Sequence, residues 1–277
     1  MVVRKIFVDS RFRNAGNFSN FQYSLKAPVK VAKSRAYIDS VHIPQVFSTI
    51  NANNQHIYVE ESWNITNIRK RKIALTIGNY DSDGLKTELQ TRLNTGTFFP
   101  TNTYTVTFSE STGKLTIGIA GAGNGDCNIW PMDYLKANSS LWVDSNSNQV
   151  GTFVPDDDCY SVIGFTSSII MNISIALTGM AHISVLPFHT LYLTCSYGLG
   201  NNDECVGPRG NSNILRTIPV TTAFGTMIHD TLMNAFEYTT VEAGQLTSFG
   251  FALTDIHGRD VPLEQGFSFS ILLVDDE

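Results

Sequence analysis

No stretch of this chain approaches the roughly 20 uninterrupted apolar residues that a membrane helix needs. The first residues, Met1-Val2-Val3-Arg4-Lys5-Ile6-Phe7-Val8-Asp9, meet an acid before any signal-peptide core develops. Both absences predict a protein made and kept soluble, with no membrane span. Charge is sparse too: 16% of the 277 residues are Asp, Glu, Lys or Arg against 42% hydrophobic. That balance excludes a disordered chain and supplies enough apolar surface for a substantial core. The four cysteines, Cys127, Cys159, Cys195 and Cys205, form no CxxC pair and no zinc-finger spacing. They read as buried thiols of a reducing compartment, with a Cys195–Cys205 disulfide as the alternative.

Catalytic patterns are missing as well. Six histidines (His42, His56, His182, His189, His229, His257) are dispersed, with no HxH, no HExxH and no carboxylate at ligand spacing. There is no GxSxG, no P-loop and no dinucleotide fingerprint. Gly121-Ala122-Gly123-Asn124-Gly125 follows a strand but leads into no amphipathic helix, so it reads as a loop. The acidic run Asp156-Asp157-Asp158 could offer oxygen ligands to calcium, yet adjacent carboxylates diverge, and a solvated loop is the expectation. Four glycosylation sequons, at Asn17, Asn64, Asn138 and Asn172, carry no weight without a secretion signal. No catalytic residue, cofactor site or metal ligand is assigned, and an enzyme is not expected.

What the chain has is charge segregation and strand rhythm. Residues 1–72 carry 12 Lys and Arg against 4 Asp and Glu, whereas residues 73–277 carry 7 against 21. This suggests two electrostatically distinct ends, one suited to an acidic partner or nucleic acid. Arg4, Lys5, Arg11 and Arg13 are the candidates to meet acidic neighbours or nucleic acid. The densest cluster, Arg69-Lys70-Arg71-Lys72, could touch nucleic acid or an acidic subunit, but reads first as a solvated approach to a strand at Ile73.

Short runs of β-branched and aromatic residues alternate with Gly, Asn, Asp, Ser and Pro clusters, the pattern of an all-β chain. Three early strands are expected, at residues 21–25, 36–43 and 56–59, and five late ones, at 189–197, 214–220, 235–240, 247–255 and 267–274. Eight antiparallel strands fit a single jelly-roll β-sandwich. One helix stands out: Asp81 or Ser82 caps it, Leu85, Leu89 and Leu93 form its apolar stripe, and Asn94-Thr95-Gly96 ends it. With a strand at Ile73–Ile77 and a hairpin of Tyr104–Phe108 and Lys114–Ile117 it makes an inserted strand–helix–strand–strand subdomain. Residues 1–60 and 181–277 are thus expected to form the jelly roll and residues 61–180 the insertion. Within the latter, 120–160 reads as an irregular surface excursion anchored by Trp130, Tyr134, Trp142 and Phe153.

The order of certain segments resembles the minor capsid (penton) proteins of virophages and polinton-like viruses. The similar pieces are Val8-Asp9-Ser10-Arg11, Phe21–Leu25, Ser40–Pro44 with Ile50-Asn51 and Asn53-Asn54, then Ile77-Gly78-Asn79-Tyr80 and the leucine-striped helix. Tyr104–Phe108, Gly113–Ile117, Val162–Phe165, Ile218-Pro219-Val220, Leu253-Thr254-Asp255 with Gly258, and Phe267–Leu273 follow in order. The resemblance implies a structural capsid protein of the virion, assembled inside the host cell. It further implies a homopentamer at the icosahedral vertex that packs against major capsid protein and contacts packaged DNA at most indirectly. The family has no catalytic residues to place. The alternative is a carbohydrate- or receptor-binding sandwich, a viral attachment protein or lectin, with Trp130, Tyr134 and Trp142 near Asp156–Asp158 as its binding surface.

Overall fold

A computed structural model describes residues 2–64, 67–97, 103–120, 126–142, 154–166, 170–173, 176–179, 181–199, 207, 213–232 and 236–275. The chain runs β1 (Val3–Asp9), β2 (Ala15–Gly16), β3 (Asn20–Val31) and β4 (Ser34–Pro44), then β5 (His56–Asn64), β6 (Asn67–Ala74), α1 (Ser82–Asn94), β7 (Thr103–Ser109) and β8 (Lys114–Ala120). Next come β9 (Asp126–Ile129), α2 (Met132–Ala137), α3 (Tyr160–Ile163), β10 (Met171–Asn172) and β11 (Ala176–Thr178). The last part is β12 (Thr190–Tyr197), β13 (Ile214–Pro219), β14 (Met227–Thr231), β15 (Thr239–Val241), β16 (Gly244–Thr254) and β17 (Ser268–Asp275). Two compact units result, one of Met1–Phe47 with Phe188–Glu277 and one of Ser48–Pro187.

The first unit is a jelly roll. Its eight main strands, in chain order, are β1, β3, β4, β12, β13, β14, β16 and β17. The first, eighth, third and sixth form one sheet, β1-β17-β4-β14, with β15 also on β4; the fifth, fourth, seventh and second form the other, β13-β12-β16-β3, with β2 at its edge. Every pairing is antiparallel, and this interleaving of early and late strands is the two-sheet Greek-key arrangement of jelly rolls. Between the sheets lies a group of phenylalanines, because alternate residues of each strand point inward. Phe21 on β3 meets Phe251 on β16 at 5.9 Å, and Phe251 meets Phe269 on β17 edge-on at 4.9 Å. Buried Arg216 on β13 reaches across to the other sheet, where its Nε donates to Asp230 on β14 at 2.7 Å. It also donates to Glu237 and to the Thr231 carbonyl. Where the unit's two segments end, Phe47 and Phe188 pack edge-to-face at 5.5 Å.

In the second unit, β10-β9-β5-β6 and β11-β8-β7 form separate sheets. Helix α1 is capped by Asp81, whose Oδ1 accepts from the Gly84 N–H at 2.7 Å. Its stripe of Leu85, Leu89 and Leu93 is fully buried in a core that includes Leu75, Val106 and Leu115. The β7–β8 hairpin turns at Gly113, where φ is +62° and the N–H bonds the Ser109 carbonyl at 2.7 Å. Glycine takes that left-handed conformation without a Cβ penalty. Near the start and finish of the unit, the Thr49 hydroxyl donates to the Val185 carbonyl at 3.0 Å.

The strand count of eight agrees with the sequence reading, but two members differ. The segment 56–59 belongs to β5 and pairs with β6 and β9 inside the second unit. Of 235–240, only its end lies in the three-residue β15. Their places are taken by β1 and β14. In β1 the run Ile6-Phe7-Val8 hides the alternation that burial of Ile6 and Val8 reveals. In β14 Ile228 alone of five residues is buried, too little to register as a periodic signal. The unit boundaries therefore fall at 47/48 and 187/188 rather than at 60/61 and 180/181.

The leucine stripe gives a direct test. Leu89→Ala should destabilise the second unit by about 2–5 kcal/mol, as expected for truncating a fully buried leucine. Denaturant unfolding measures it, and a change below about 0.5 kcal/mol would show that the site is not packed.

Candidate functional site

The densest set of charged side chains lies in the interior of the second unit, on the hairpin β5–β6. Antiparallel register places Tyr58 opposite Lys72, Val59 opposite Arg71, Glu60 opposite Lys70 and Glu61 opposite Arg69. Because successive residues face opposite sides of a strand, the basic run is divided between two layers. Lys70 and Lys72 share one face with Tyr58 and Glu60, while Arg71 faces the other with Glu61.

On the Arg71 face, Nη2 donates to Glu61 Oε1 at 2.5 Å and to the Leu93 carbonyl at 2.9 Å, and Nη1 donates to the Thr95 carbonyl at 2.8 Å. The guanidinium thus satisfies carbonyls at the C-terminal end of α1, where positive charge is favoured. Glu61, fully buried, also accepts from the Tyr104 hydroxyl at 2.7 Å. Burial beside this carboxylate holds the Tyr104 hydroxyl far above its ordinary pKa and pushes the Cys127 thiol up to about 12.

On the opposite face, Lys70 Nζ donates to the Leu141 carbonyl, lies 3.3 Å from Glu60, and sits 4.2 Å from the centroid of the Trp130 ring and 5.7 Å from that of Trp142. Lys72 Nζ donates to Asp157 Oδ2 at 2.7 Å, and His56 Nδ1 lies 2.8 Å from the same oxygen. The Tyr58 hydroxyl donates to Asp157 Oδ1 at 2.8 Å. Burial opposes charge on Asp157, but the bonds from His56, Lys72 and Tyr58 outweigh it and lower its pKa. Next to it, burial raises the Asp158 carboxyl to about 6, with the neighbouring charges of Asp156 and Asp157 adding to the effect against a backbone bond from Tyr160. Asp156 turns the other way, to Lys136.

This geometry corrects three expectations. The run Arg69–Lys72 is no solvated approach, since Lys70 and Arg71 are buried and Arg69 and Lys72 are only partly exposed. Asp156–Asp158 is not a solvated loop, because Asp157 is buried and ion-paired. Finally, 120–160 is no surface excursion in its described parts: β9 pairs with the middle strand β5, and Trp130 and Trp142 are buried. Trp130 and Trp142 lie against the chain's own Lys70, and Tyr134 packs edge-on against Trp130 at 5.2 Å. Phe153 and Gly121–Gly125 lie outside the described residues.

The other candidates are scattered. His42 and His229 stack across β4 and β14 with centroids 4.5 Å apart, and burial, then the neighbouring ring, lowers the pKa of His42. His182 lies against Gly113, and His257 sits in the turn closed by Asp255 and Arg259. Among the described residues no group of three or more His, Cys, Asp and Glu could hold a metal ion. Cys127, Cys159 and Cys195 are buried free thiols; burial pushes Cys195 up to about 11, far from the thiolate form a nucleophile needs. Cys205 lies outside the described residues. At the amino-terminal end, Arg4 pairs with Asp275, Lys5 with Asp39 and Arg11 with Asp9, while Arg13 donates to the Gly16 and Ser10 carbonyls. These cations therefore answer to carboxylates and carbonyls of the chain itself. No helix of the described residues is long and apolar enough to cross a membrane.

What the sequence reading missed was the acid partner of the basic run. Glu60-Glu61 precedes Arg69–Lys72 at the spacing of a hairpin, and opposite charges facing each other in register were the available signal.

Neither a family model nor a curated protein matches the chain. Solved structures do. The mavirus penton protein aligns over 99% of this chain and 99% of its own, with 12% identity and a TM-score of 0.49. A chain of the Sputnik virophage aligns over 99% of this chain and 97% of its own, with 12% identity and a TM-score of 0.41.

Two outcomes test the interior. Glu61→Gln leaves the Arg71 charge buried without its counter-ion and should cost about 3–5 kcal/mol of stability, read by chemical unfolding. Asp158→Asn should act in the opposite sense. A carboxyl whose folded pKa is raised above the unfolded 3.8 weakens the fold as pH climbs from about 4 to about 6, and the penalty persists above that window. The variant should therefore gain up to about 3 kcal/mol over the wild type at pH 7.5 and about 1 kcal/mol at pH 4.5. Unfolding curves across that range that stay parallel for the two proteins would refute the assignment.

Proposed function

We propose that this chain is a structural minor capsid protein of an icosahedral virion, the subunit of a pentameric vertex, rather than an enzyme. The observation that carries the reading is the strand order of the first unit: an eight-stranded jelly roll whose third-to-fourth connection is expanded into a second folded unit. The ordered sequence resemblance to virophage and polinton-like penton proteins, spread over nearly the whole chain, supports the same role. The charged groups of the second unit agree with it, since they bond one another in the interior and stabilise a fold.

In this role five copies close a ring, each joining the next through unlike faces. The ring packs against major capsid protein and is assembled inside the host cell. Packaged DNA is met at most indirectly, because Arg4, Lys5 and Arg11 spend their charge on carboxylates of the same chain.

Mass measurement of the purified full chain, alone and with major capsid protein, is the direct test. A species of five 30.6 kDa chains is expected, together with copies at particle vertices in electron micrographs. Monomers in both settings and empty vertices would remove the proposal.

A further inference from the structure

Two of the histidines that look dispersed in the sequence come together in the jelly-roll unit. His42 on β4 and His229 on β14 are direct partners in the antiparallel ladder. Their rings stack with centroids 4.5 Å apart and planes 27° from parallel. The adjoining residues Val41, Ile43 and Ile228 are buried, so strand alternation turns both imidazoles onto the outer face of the sheet. There His229 is exposed and His42 half-buried. The nearest charged residues are engaged elsewhere, Asp230 by Arg216 and Asp39 by Lys5.

The hydrogen bonds at the two ends of this ladder fix how closely the pair stands. The Gln45 N–H donates to the Thr226 carbonyl at 2.8 Å, and the Leu232 N–H donates to the Asp39 carbonyl at 3.0 Å. Hydrogen-bonded and non-hydrogen-bonded pairs alternate along an antiparallel ladder. Stepping inward by two from either bond makes Ile43 with Ile228 and Val41 with Asp230 the bonded pairs. His42 and His229 therefore form a non-hydrogen-bonded pair, the kind whose side chains stand closer together.

We infer that His42 and His229 together form a site for one divalent transition-metal ion, zinc, nickel or copper, with solvent completing its coordination on the exposed side. Imidazole nitrogen is the ligand these ions prefer, whereas magnesium and calcium take oxygen. A tetrahedral ion bonded to one nitrogen of each ring holds those nitrogens about 3.4 Å apart. Rings already stacked on a rigid ladder reach that separation by rotating about their Cβ–Cγ bonds. The ion clips β14 to β4. As an edge strand with Ile228 alone buried among its five residues, β14 has little apolar hold on the sheet, so a bond across the pair adds to it directly. The site is independent of the vertex role.

Calorimetric titration of the full chain with nickel chloride at pH 7.5 tests the site. One ion per chain is expected, and magnesium chloride should give no binding. His42→Gln and His229→Gln should each weaken nickel binding by about tenfold or more, because the second imidazole acts at high effective concentration once the first is engaged. His189→Gln, which alters a histidine outside the pair, should bind as the wild type does. Nickel should also slow hydrogen exchange of the Met227–Thr231 amides in the wild type and in neither glutamine variant of the pair. Should one of those variants fold poorly, the exchange pattern of the wild type decides by itself. Nickel held equally by both variants, lost in only one of them, or protecting amides away from β4 and β14 would overturn the inference. A wild type that takes up no nickel at millimolar concentration would overturn it too.

Discussion

The organisation of the chain depends on closing a long excursion. A jelly roll interrupted between its third and fourth strands can pair β4 and β12 with their proper neighbours only if the departing and returning chain lie close together. Phe47 and Phe188 meet that requirement within the first unit by packing ring edge against ring face. Thr49 and Val185 meet it within the second through a hydrogen bond from hydroxyl to carbonyl. Closure entropy grows only slowly with loop length, so once the ends are held, the size of what hangs between them costs the sandwich little. The two apolar cores can then be satisfied separately, phenylalanines between the sheets in one and the leucine face of α1 in the other.

Within the second unit the constraint is electrostatic. Four consecutive cations on one strand cannot all reach water when both faces of the sheet are covered, and an isolated buried charge is far more expensive than a paired one. The sheet register resolves this by sending alternate residues to different partners: Arg71 to Glu61 and the end of α1, Lys70 to Glu60 and two indoles, Lys72 to Asp157. Asp157 also draws in His56 and Tyr58, so the segment just before α3 is held to the start of β5. Asp158 is the member left poorly solvated by this arrangement.

How far these features were legible depended on range. Local signals were sound: the Asp81 cap and leucine stripe of α1, the Gly113 turn and the long strands β3, β4, β12, β16 and β17 stand where propensity and periodicity place them. Signals that need a distant partner failed. Edge strand β1 reads as a plain apolar run until β17 shows which residues face inward. The charges of β6 read as solvated because burial of a cation is visible only beside its counter-ion, and Trp130 and Trp142 read as surface aromatics because their ligand, Lys70, is some sixty and seventy residues earlier. The candidate site was misplaced for the same reason, since charge-rich sequence is usually surface and here tertiary pairing overrode that tendency.

The pairings also order events in time. β1, β3 and β4 find their main partners only in β14, β15, β16 and β17, all beyond residue 226; among themselves the first 47 residues form just the two-residue pairing of β2 with β3. Every strand pairing of the described residues in 48–187, by contrast, is made within that stretch. During synthesis the inserted unit therefore has all its partners before the jelly roll that flanks it has half of its own. The amino-terminal strands must wait on the ribosome with open edges until the last ones emerge. That delay gives the exposed basic residues of β3 and the turn after it, Lys26, Lys30 and Lys33, a role as charges that keep a waiting strand from pairing with the wrong neighbour.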